Sequence, residues 1–441
     1  MSEQHETMSK PQNYYSSLVP NQKIFVRPSF ALESGITLID VPVAYSTWGT
    51  LNETRDNVLV VCHALTGSSD ALDWWRPLIG PGKSLDYTRY FIFCANVLGS
   101  PYGSASPLSV DAKTGRPYGP SFPQTTIRDD IRIHKIVLDS LSVQSVAAII
   151  GGSMGGMHVL EWPLCTPSGY VKNIIPIASS AYQGAWGISW GETQRQAVYA
   201  DTTFRDGWYD PTPEGQPRRG LGTARIIGML TYRSCQSFEA RFGRRPGIVT
   251  RQKSQDDVMP TPPVSDTESV TSEMEEREQS SSTPRFSAQN YLQYQANKFL
   301  NRFDANCYIH LTKKMDTHDI TRGRTCSVSR HSSPTKDELT RTLSCVPEGA
   351  LVIGVGTDLL FPVQQQLDLA QCLPSARLVV LESGDGHDGF LLEFERLNSV
   401  IRKHLSERCA WLYDGEGVGI VDDTALAVVD SVFGETENVD F

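Results

Sequence analysis

The sequence lacks the cysteine spacing, the long apolar runs and the secretion signal of a protein that leaves the cytoplasm. Its nine cysteines are dispersed, without a C-x-x-C pair or other paired spacing, which is typical of reduced thiols in a reducing compartment. The N-terminal stretch MSEQHETMSKPQNYY is polar and has no hydrophobic core of a signal peptide. No run approaches the roughly 18 apolar residues of a membrane span. We therefore predict a cytoplasmic protein with no membrane partner.

Basic residues are also fewer than acidic residues. The chain has 40 Lys and Arg residues against 50 Asp and Glu residues, which gives a formal net charge of −10. A nucleic-acid-binding surface needs clustered Lys and Arg, so we predict no nucleic-acid partner. The histidines and cysteines lack the spacing of metal ligands, so we predict no metal site.

Aromatic residues are absent between Phe242 and Phe286. The segment 244–285 is rich in Pro, Ser and Thr, and it contains an acidic run from Glu273 to Glu278. Such a segment cannot bury enough apolar surface to order itself. We predict a disordered acidic insertion at about 244–285, for which a phosphoregulated role is compatible with the composition but not indicated by it.

The most informative stretch that is present is 146–162, which reads VAAIIGGSMGGMHVLEW. Its first five residues are small and apolar and predict a buried strand, and the apolar residues 157–162 have a spacing that suits a helix. Between them lies G-x-S-x-G with Ser153 at its centre. A strand, a tight turn and a helix make the context of a nucleophile elbow, in which small neighbours leave room for a strained serine. We predict that Ser153 is a nucleophile.

Two further polar residues follow predicted strands. Asp358 comes after the apolar run 350–355, and His387 comes after the run 377–381. The order Ser153, Asp358, His387, with each residue at the carboxyl end of a predicted parallel strand, is typical of the catalytic triad of an α/β hydrolase. His387 would move the serine proton, and Asp358 would orient the imidazole and stabilise its charged form.

Other residues compete for these two roles. Asp368 and Asp385 are alternatives to Asp358, and the strand-end position favours Asp358. His404 and His318 are alternatives to His387, which is favoured by its place between a strand and the last helix. The arrangement predicts acyl transfer through a serine ester, with either water or a bound alcohol as the acceptor.

An oxyanion hole needs two backbone donors. We predict the N–H of Met154, directly after the nucleophile, and the N–H of Leu65, in the loop after the buried strand 58–62. His63 precedes that loop and is predicted to be structural.

The alternation of strands and helices predicts an α/β-hydrolase fold, with a mostly parallel central sheet and an inserted helical lid that forms the pocket and excludes water. The predicted parts are a flexible tail at 1–22, a first core segment at 23–180, a lid at 181–343, a second core segment at 344–408 and a tail at 409–441.

Several motifs together resemble homoserine O-acetyltransferases of the α/β-hydrolase superfamily. The match runs from about Pro28 to His404, and the long lid insertion resembles the fungal form. The motifs are HALTG at 63–67, NVLGSPYGSASP at 96–107, RDDIRIHKIVLDSL at 128–141, GGSMGGMHVLEW at 151–162, TQRQA at 193–197, GLGTARIIGMLTYRS at 220–234, MDTHDI at 315–320, TDLLFP at 357–362 and GHDGFLLE at 386–393.

The resemblance implies a ping-pong reaction in methionine biosynthesis. Ser153 would take acetyl from the co-substrate acetyl-CoA, with no bound cofactor, and the hydroxyl of L-homoserine would accept it. It also implies that Arg225 binds the substrate carboxylate, with Tyr232 on the same helix face, and that Asp388 binds the amino group. A zwitterionic amino acid needs one fixed cation and one fixed anion, and Arg suits a carboxylate. Family members are usually homodimers, so we expect one here.

The chain departs from the family pattern in places. His158 stands where glutamine is common, Pro163 is expected to interrupt the elbow helix early, and several bacterial members have a different loop at 99–107. Sister enzymes share nearly all the motifs. The alternatives are therefore an acyltransferase acting on deacetylcephalosporin C or L-serine, a succinyl donor, an esterase, and a binding protein without activity.

Overall fold

The computed structural model describes residues 13–247, 286–325 and 332–414. Their strands form one large sheet and one short hairpin. The strands are β1 (Lys23–Ala31), β2 (Thr37–Trp48), β3 (Val58–Cys62), β4 (Phe91–Ala95), β5 (Val110–Asp111), β6 (Arg116–Pro117), β7 (Val146–Gly152), β8 (Ile174–Ile177), β9 (Leu351–Val355) and β10 (Arg377–Leu381).

The large sheet has eight strands in the spatial order β1-β2-β4-β3-β7-β8-β9-β10. Strand β2 pairs antiparallel with both β1 and β4, and the other pairs are parallel. Since parallel strands end at the same edge, the loops after β3, β7, β9 and β10 lie along one side of the sheet. The mostly parallel α/β-hydrolase architecture predicted from the sequence is confirmed.

Helices cover both faces of the sheet and also form a segment inserted between β8 and β9. They are α1 (Ala71–Trp75), α2 (Ile127–Ser140), α3 (Met154–Cys165), α4 (Ala185–Tyr199), α5 (Arg218–Tyr232), α6 (Cys235–Arg241), α7 (Ser287–Leu300), α8 (Ala305–Asp316), α9 (Lys336–Leu343), α10 (Val363–Cys372), α11 (Gly389–Leu392) and α12 (Phe394–Arg408).

Strand β3 shows why the central strands are continuously apolar. Val58, Val60 and Cys62 pack into one core cluster, which includes residues of α2, α3 and α10. Leu59 and Val61 pack into the cluster on the opposite face, with residues of α1 and α12. A strand covered on both faces has no solvent-facing side, so alternation is lost from its sequence.

Helices α4 to α8 lie between β8 and β9 in the chain and form the lid. A third apolar cluster joins them to the elbow helix α3, since Met154 and Met157 pack with lid residues that include Phe299 and Tyr308. The predicted lid at 181–343 also included helix α9. In the structure α9 belongs to the core, because its residues Leu339 and Leu343 pack into the apolar cluster beside the sheet.

The two predicted tails also differ where the structure describes them. Tyr15 and Val19 are buried, and Gln22 Nε2 donates to the carbonyl of Tyr102 at 2.9 Å. These apolar and hydrogen-bonded contacts hold 13–22 against the core, where the sequence predicted part of a flexible tail. At the other end, Cys409 is buried. The remainder of both tails, and 248–285 of the predicted disordered insertion, lie outside the described residues.

The elbow helix is longer than expected. Helix α3 continues to Cys165 with Pro163 inside it. A proline lacks the N–H that bonds one turn back, and only two helical residues follow Pro163, so the helix ends soon after instead of at the proline. No helix within the described ranges is both apolar enough and long enough to cross a membrane.

Candidate active site

Ser153 lies in the tight turn between β7 and α3. Its backbone has φ 58° and ψ −125°, a conformation that is strained for a residue with a side chain. Hydrogen bonds from the neighbouring strand hold the turn. The Ser153 N–H donates to the carbonyl of Ile177 at 3.0 Å, and Ser179 Oγ donates to the carbonyl of Ser153 at 2.8 Å. The structure therefore adopts the predicted strand, tight turn and helix around Ser153.

The glycines around the serine are required by close packing of the backbone. A Cβ atom added at Gly155 would collide with the carbonyl oxygen of Cys62 at the end of β3. One added at Gly151 would lie 2.7 Å from the same oxygen. Helix α3 therefore starts directly against β3, and its N-terminus lies at the strand edge where the other loops meet.

Asp358 and His387 come together after β9 and β10. His387 Nδ1 lies 2.7 Å from Asp358 Oδ2. The other oxygen, Asp358 Oδ1, accepts the N–H groups of Leu360 at 2.9 Å and Phe361 at 2.8 Å. Because the carboxylate is fixed by its own loop, it holds the proton of His387 on Nδ1 and leaves Nε2 as the nitrogen that can exchange a proton.

Aromatic rings enclose His387. The ring centroids of Phe361 and Phe390 each lie 5.3 Å from the imidazole centroid. Phe390 also contacts the elbow, since a Cβ added at Gly152 would lie 2.5 Å from its ring. Ser153 is 5% exposed and His387 is 3% exposed, so the chemistry would take place in a site with little water.

The competing residues lie elsewhere. Asp368 is exposed on α10 and accepts from Gln364, and Asp385 accepts from Arg233. His404 is buried on α12, where Arg408, Arg377 and Glu407 are charged groups near it. His63 uses both ring nitrogens locally: Nε2 accepts from the N–H of Val97 at 3.2 Å, and Nδ1 lies 2.8 Å from the carbonyl oxygen of Ala64.

The two predicted oxyanion donors belong to the start of α3 and to the loop after β3, against which α3 starts. Met154 is the first residue of α3, so its N–H has no partner within the helix. Leu65 is the second residue of a turn that the N–H of Gly67 closes onto the carbonyl of Ala64 at 3.0 Å, so its own N–H takes no part in that bond. The Leu65 side chain packs against the apolar cluster that contains Met154.

A lid residue that the sequence reasoning missed contacts the same turn. Arg302, between α7 and α8, is buried and donates from Nη1 to the carbonyl of Thr66 at 3.1 Å. Nothing in the local pattern around Arg302 marks it, because the contact joins residues far apart in the chain.

The predicted substrate residues line one small pocket. Arg225, Tyr232 and Asp388 share its wall with Arg233 and with Met229, Tyr291 and Gln295. Arg225 is buried, and its guanidinium carbon lies 5.7 Å from the ring centroid of Tyr232. The Tyr232 ring in turn lies 6.2 Å from that of His387. The structure thus brings a cation and an anion from distant segments to the edge of the Asp358–His387 pair.

A buried charge network lies behind the elbow. Lys314 of α8 and Asp130 of α2 are both fully buried, with Lys314 Nζ 2.6 Å from Asp130 Oδ2. His158 of α3 lies 2.9 Å from the same oxygen through Nε2, and its Nδ1 lies 2.8 Å from the carbonyl oxygen of Met154. Burial by itself would raise the pKa of Asp130, but Lys314 and His158 outweigh it and hold the pKa well below its usual range.

The described residues hold no group of three or more His, Cys, Asp or Glu side chains placed to bind a metal ion. The polar groups of the site are the serine, the Asp–His pair, the backbone donors and the pocket charges, which together are the parts of an acyl-transfer site.

Comparison with known proteins agrees with this geometry. The α/β-hydrolase fold family matches residues 57–394, and the chain belongs to it. A solved structure of esterase E22 has a TM-score of 0.69 and 24% identity, over 87% of this chain and 99% of that chain. This likeness shows the fold alone, which serves esterases as well as transferases.

Sequence relatives narrow the family. The homoserine O-acetyltransferase of Cryptococcus neoformans var. grubii is 44% identical, and the match covers 96% of each chain. The homoserine O-acetyltransferase of Saccharomyces cerevisiae is 43% identical, over 98% of this chain and 96% of the relative. The chain therefore belongs to the homoserine O-acetyltransferase family, as its motifs indicate.

Proposed function

We propose that this protein transfers an acetyl group from acetyl-CoA to the side-chain hydroxyl of L-homoserine, in methionine biosynthesis, through an ester on Ser153. In the first half-reaction Ser153 Oγ attacks the thioester carbonyl, His387 takes the serine proton, and the proton leaves with the CoA sulfur. In the second, the homoserine hydroxyl attacks the ester, and its proton returns through His387 to Ser153.

The Asp358–His387 contact supports this assignment of the acid–base pair. The carboxylate accepts from Nδ1 at 2.7 Å, so it favours the tautomer in which Nε2 accepts the serine proton and stabilises the imidazolium that forms. Ser153, Asp358 and His387 are the proposed catalytic residues.

The N–H groups of Met154 and Leu65 are the proposed oxyanion donors. Each tetrahedral intermediate develops a negative oxygen, and a preorganised N–H stabilises it where water is excluded. Losing one such donor typically costs about 3 kcal/mol of transition-state stabilisation.

The observation that carries the choice of acceptor is the shared pocket of Arg225, Tyr232 and Asp388 beside His387. Arg225 is the proposed partner of the homoserine carboxylate and Asp388 that of its amino group, with Tyr232 packed between Arg225 and His387. An amino acid bound at both charged groups projects its hydroxyl in a defined direction, and such positioning is a large part of catalysis of group transfer.

Exclusion of water separates a transferase from an esterase that uses the same triad. The 5% exposure of Ser153 and the 3% exposure of His387 favour a bound alcohol over bulk water as the acceptor.

The decisive experiment measures thiol release from acetyl-CoA by the purified protein, with and without L-homoserine. L-Serine, deacetylcephalosporin C and succinyl-CoA replace the acceptor or the donor in parallel reactions. Release that depends on both acetyl-CoA and homoserine is the expected result. Release without any acceptor would indicate an esterase, and turnover with another alcohol alone would indicate a sister acyltransferase.

Assembly and location remain proposals of the same kind. We infer a cytoplasmic location from the dispersed cysteines, and a homodimer from the family. The exposed Trp186 and Leu359 offer an apolar surface near the site, where the indole N–H donates to the Leu359 carbonyl at 2.7 Å. Light scattering should give about twice the 48.8 kDa of one chain; the mass of a single chain would contradict the dimer.

A further inference from the structure

Arg233, directly after α5, joins the lid to the loop that carries His387. Its Nε lies 2.8 Å from Asp388 Oδ2, and its Nη1 donates to Asp385 Oδ1 at 3.0 Å. The two carboxylates stand on either side of His387 in the chain. The side chains of Arg233 and Asp388 are 8% and 14% exposed, so their ion pair is largely shielded from solvent and interacts strongly. The Asp385 side chain is 33% exposed, so its pair with Arg233 is more open to solvent.

The backbone around Arg233 fits the same loop closely. Ser234 Oγ donates to the carbonyl of Gly384, and Ser237 Oγ donates to Asp385 Oδ1 at 2.5 Å. Gly386 has φ +68°, and a Cβ added there would lie 2.7 Å from the Ser234 nitrogen. The end of α5 and the histidine loop are therefore in direct contact at backbone and side-chain level.

The Arg233 guanidinium stays ionised in spite of its burial. Burial would lower the pKa of the Arg233 guanidinium, but Asp388, Tyr291 and Asp385 outweigh it and raise that pKa above its ordinary value. A guanidinium can hold two carboxylates at once because its donors form a rigid fork, whereas the single ammonium group of a lysine cannot reproduce both contacts.

The Asp358–His387 pair has supports of its own that do not involve Arg233. Asp358 Oδ1 is held by the N–H groups of Leu360 and Phe361, and the imidazole packs between aromatic rings. Asp388, in contrast, has Arg233 as an ion-pair partner in the wall of the pocket that both residues line. Removal of the guanidinium should therefore disturb Asp388 more than the proton-transfer pair.

We propose that Arg233 is a positioning residue that fixes the carboxylate of Asp388 for the amino group of the acceptor, and that it acts on the second half-reaction. This inference rests on the proposed function of the pocket. The alternative is a purely structural salt bridge that attaches the lid to the core. In that case removal of Arg233 would slow both half-reactions to the same extent.

The test measures the two half-reactions separately in Arg233→Gln, Arg233→Lys and the parent. Exchange of labelled CoA into acetyl-CoA without acceptor reports the first half-reaction and also shows that the site is folded. Steady-state rates with L-homoserine report the second. We expect the homoserine KM to rise roughly tenfold to a hundredfold in Arg233→Gln, in line with the loss of a charge-assisted contact, and less in Arg233→Lys, with exchange within about threefold of the parent.

An acceptor without the amino group sharpens the test. The parent should prefer L-homoserine to 4-hydroxybutyrate, and Arg233→Gln should lose much of that preference, as should Asp388→Asn. Because both substitutions remove the same contact, the double variant should be little worse than either single one. Arg219→Gln, at an exposed arginine in the first turn of α5, is the matched control and should match the parent.

Three outcomes would overturn the inference. They are a proportional loss of exchange and of homoserine turnover in both Arg233 variants, unchanged kinetics in Arg233→Gln, and fully additive effects of Arg233→Gln and Asp388→Asn. A parent that exchanges label but does not acetylate homoserine would instead overturn the proposed function, and the inference with it.

Discussion

At the scale of single residues, the site depends on which carboxylate His387 meets. One oxygen of Asp358 accepts two backbone N–H groups, and the other oxygen contacts the imidazole. Backbone donors thus fix one oxygen of the carboxylate, and the other oxygen faces the imidazole and can stabilise the imidazolium.

We expect Asp358→Asn to reduce kcat for acetyl transfer by about 10³- to 10⁴-fold, because an amide at this position favours the wrong tautomer of His387. Thiol release with homoserine would measure the loss. Asp368→Asn changes an exposed carboxylate on α10 and should leave kcat unchanged. Equal losses in the two variants would show that Asp358 has no special role.

Buried histidines should make the fold sensitive to acid. Burial is the main cause that lowers the pKa of His63 and His310 to about 3, and that of His134 to about 4. The unfolded chain binds these protons near pH 6.5 and the folded chain does not, so stability falls as the pH drops from about 6.5 toward 4. Each such histidine would cost about 2 kcal/mol at pH 5.

Denaturant unfolding at pH 7.5 and pH 5 should therefore give a clearly smaller free energy of unfolding at pH 5. In His134→Gln, whose amide can still donate to the carbonyl of Asn96, the decrease between the two pH values should be smaller by about 2 kcal/mol. An identical decrease in the variant and the parent would show that His134 is not the buried neutral group described above.

At the scale of secondary-structure elements, the crossing of β3 and α3 determines the site. Gly155 lies where the start of the helix meets the last carbonyl of the strand, so the elbow and the strand before the Leu65 turn form one rigid unit. The Lys314–Asp130–His158 network fastens the same helix to α2 and to lid helix α8, which joins the lid to the elbow from behind.

A pair of glycine substitutions tests this packing. We expect Gly155→Ala to destabilise the fold by about 1–3 kcal/mol or more, because the added methyl group has no room. Gly222→Ala in α5 should instead stabilise it by up to about 1 kcal/mol, since a Cβ there would have its nearest contact at 3.7 Å and the helix gains propensity. Thermal unfolding measures both, and similar shifts would refute the close crossing.

At the scale of the whole molecule, the long polar segment meets the lid at one point. Pro246 and Phe286, which lie close to its two ends, pair across an antiparallel bridge, and the Ser287 N–H donates to the Arg245 carbonyl at 3.0 Å. A chain that leaves and returns at one place can be shortened without moving either end.

We therefore expect replacement of 250–283 by a short Gly-Ser linker to leave kcat and both KM values within about twofold, and to change the free energy of unfolding by only about 1 kcal/mol, the cost of closing a loop. A Gly-Ser segment of the original length is the control. A large loss of activity in both variants would mean that the native segment contributes to the site.

The sequence by itself determined the fold class and predicted most of the proposed site. Central strands buried on both faces appear in the sequence as continuous apolar runs, and parallel strands end at one edge, so Ser153, Asp358 and His387 could be predicted to lie at that edge without coordinates. Arg225, Tyr232 and Asp388 came from motif resemblance, and the structure places them in one pocket.

Only the tertiary structure decided the contacts between distant segments. Arg233 with Asp388, Arg302 with Thr66 and Lys314 with Asp130 each join the lid to the core. The partners in each pair are at least 155 residues apart in the chain. No local periodicity encodes which surfaces meet. The segment around Tyr15 was mispredicted for the same reason. Its polar sequence indicates a flexible tail, but Tyr15 is buried because the folded core provides contacts that the local sequence does not show. Local pattern specifies elements, and the packing of those elements specifies their partners.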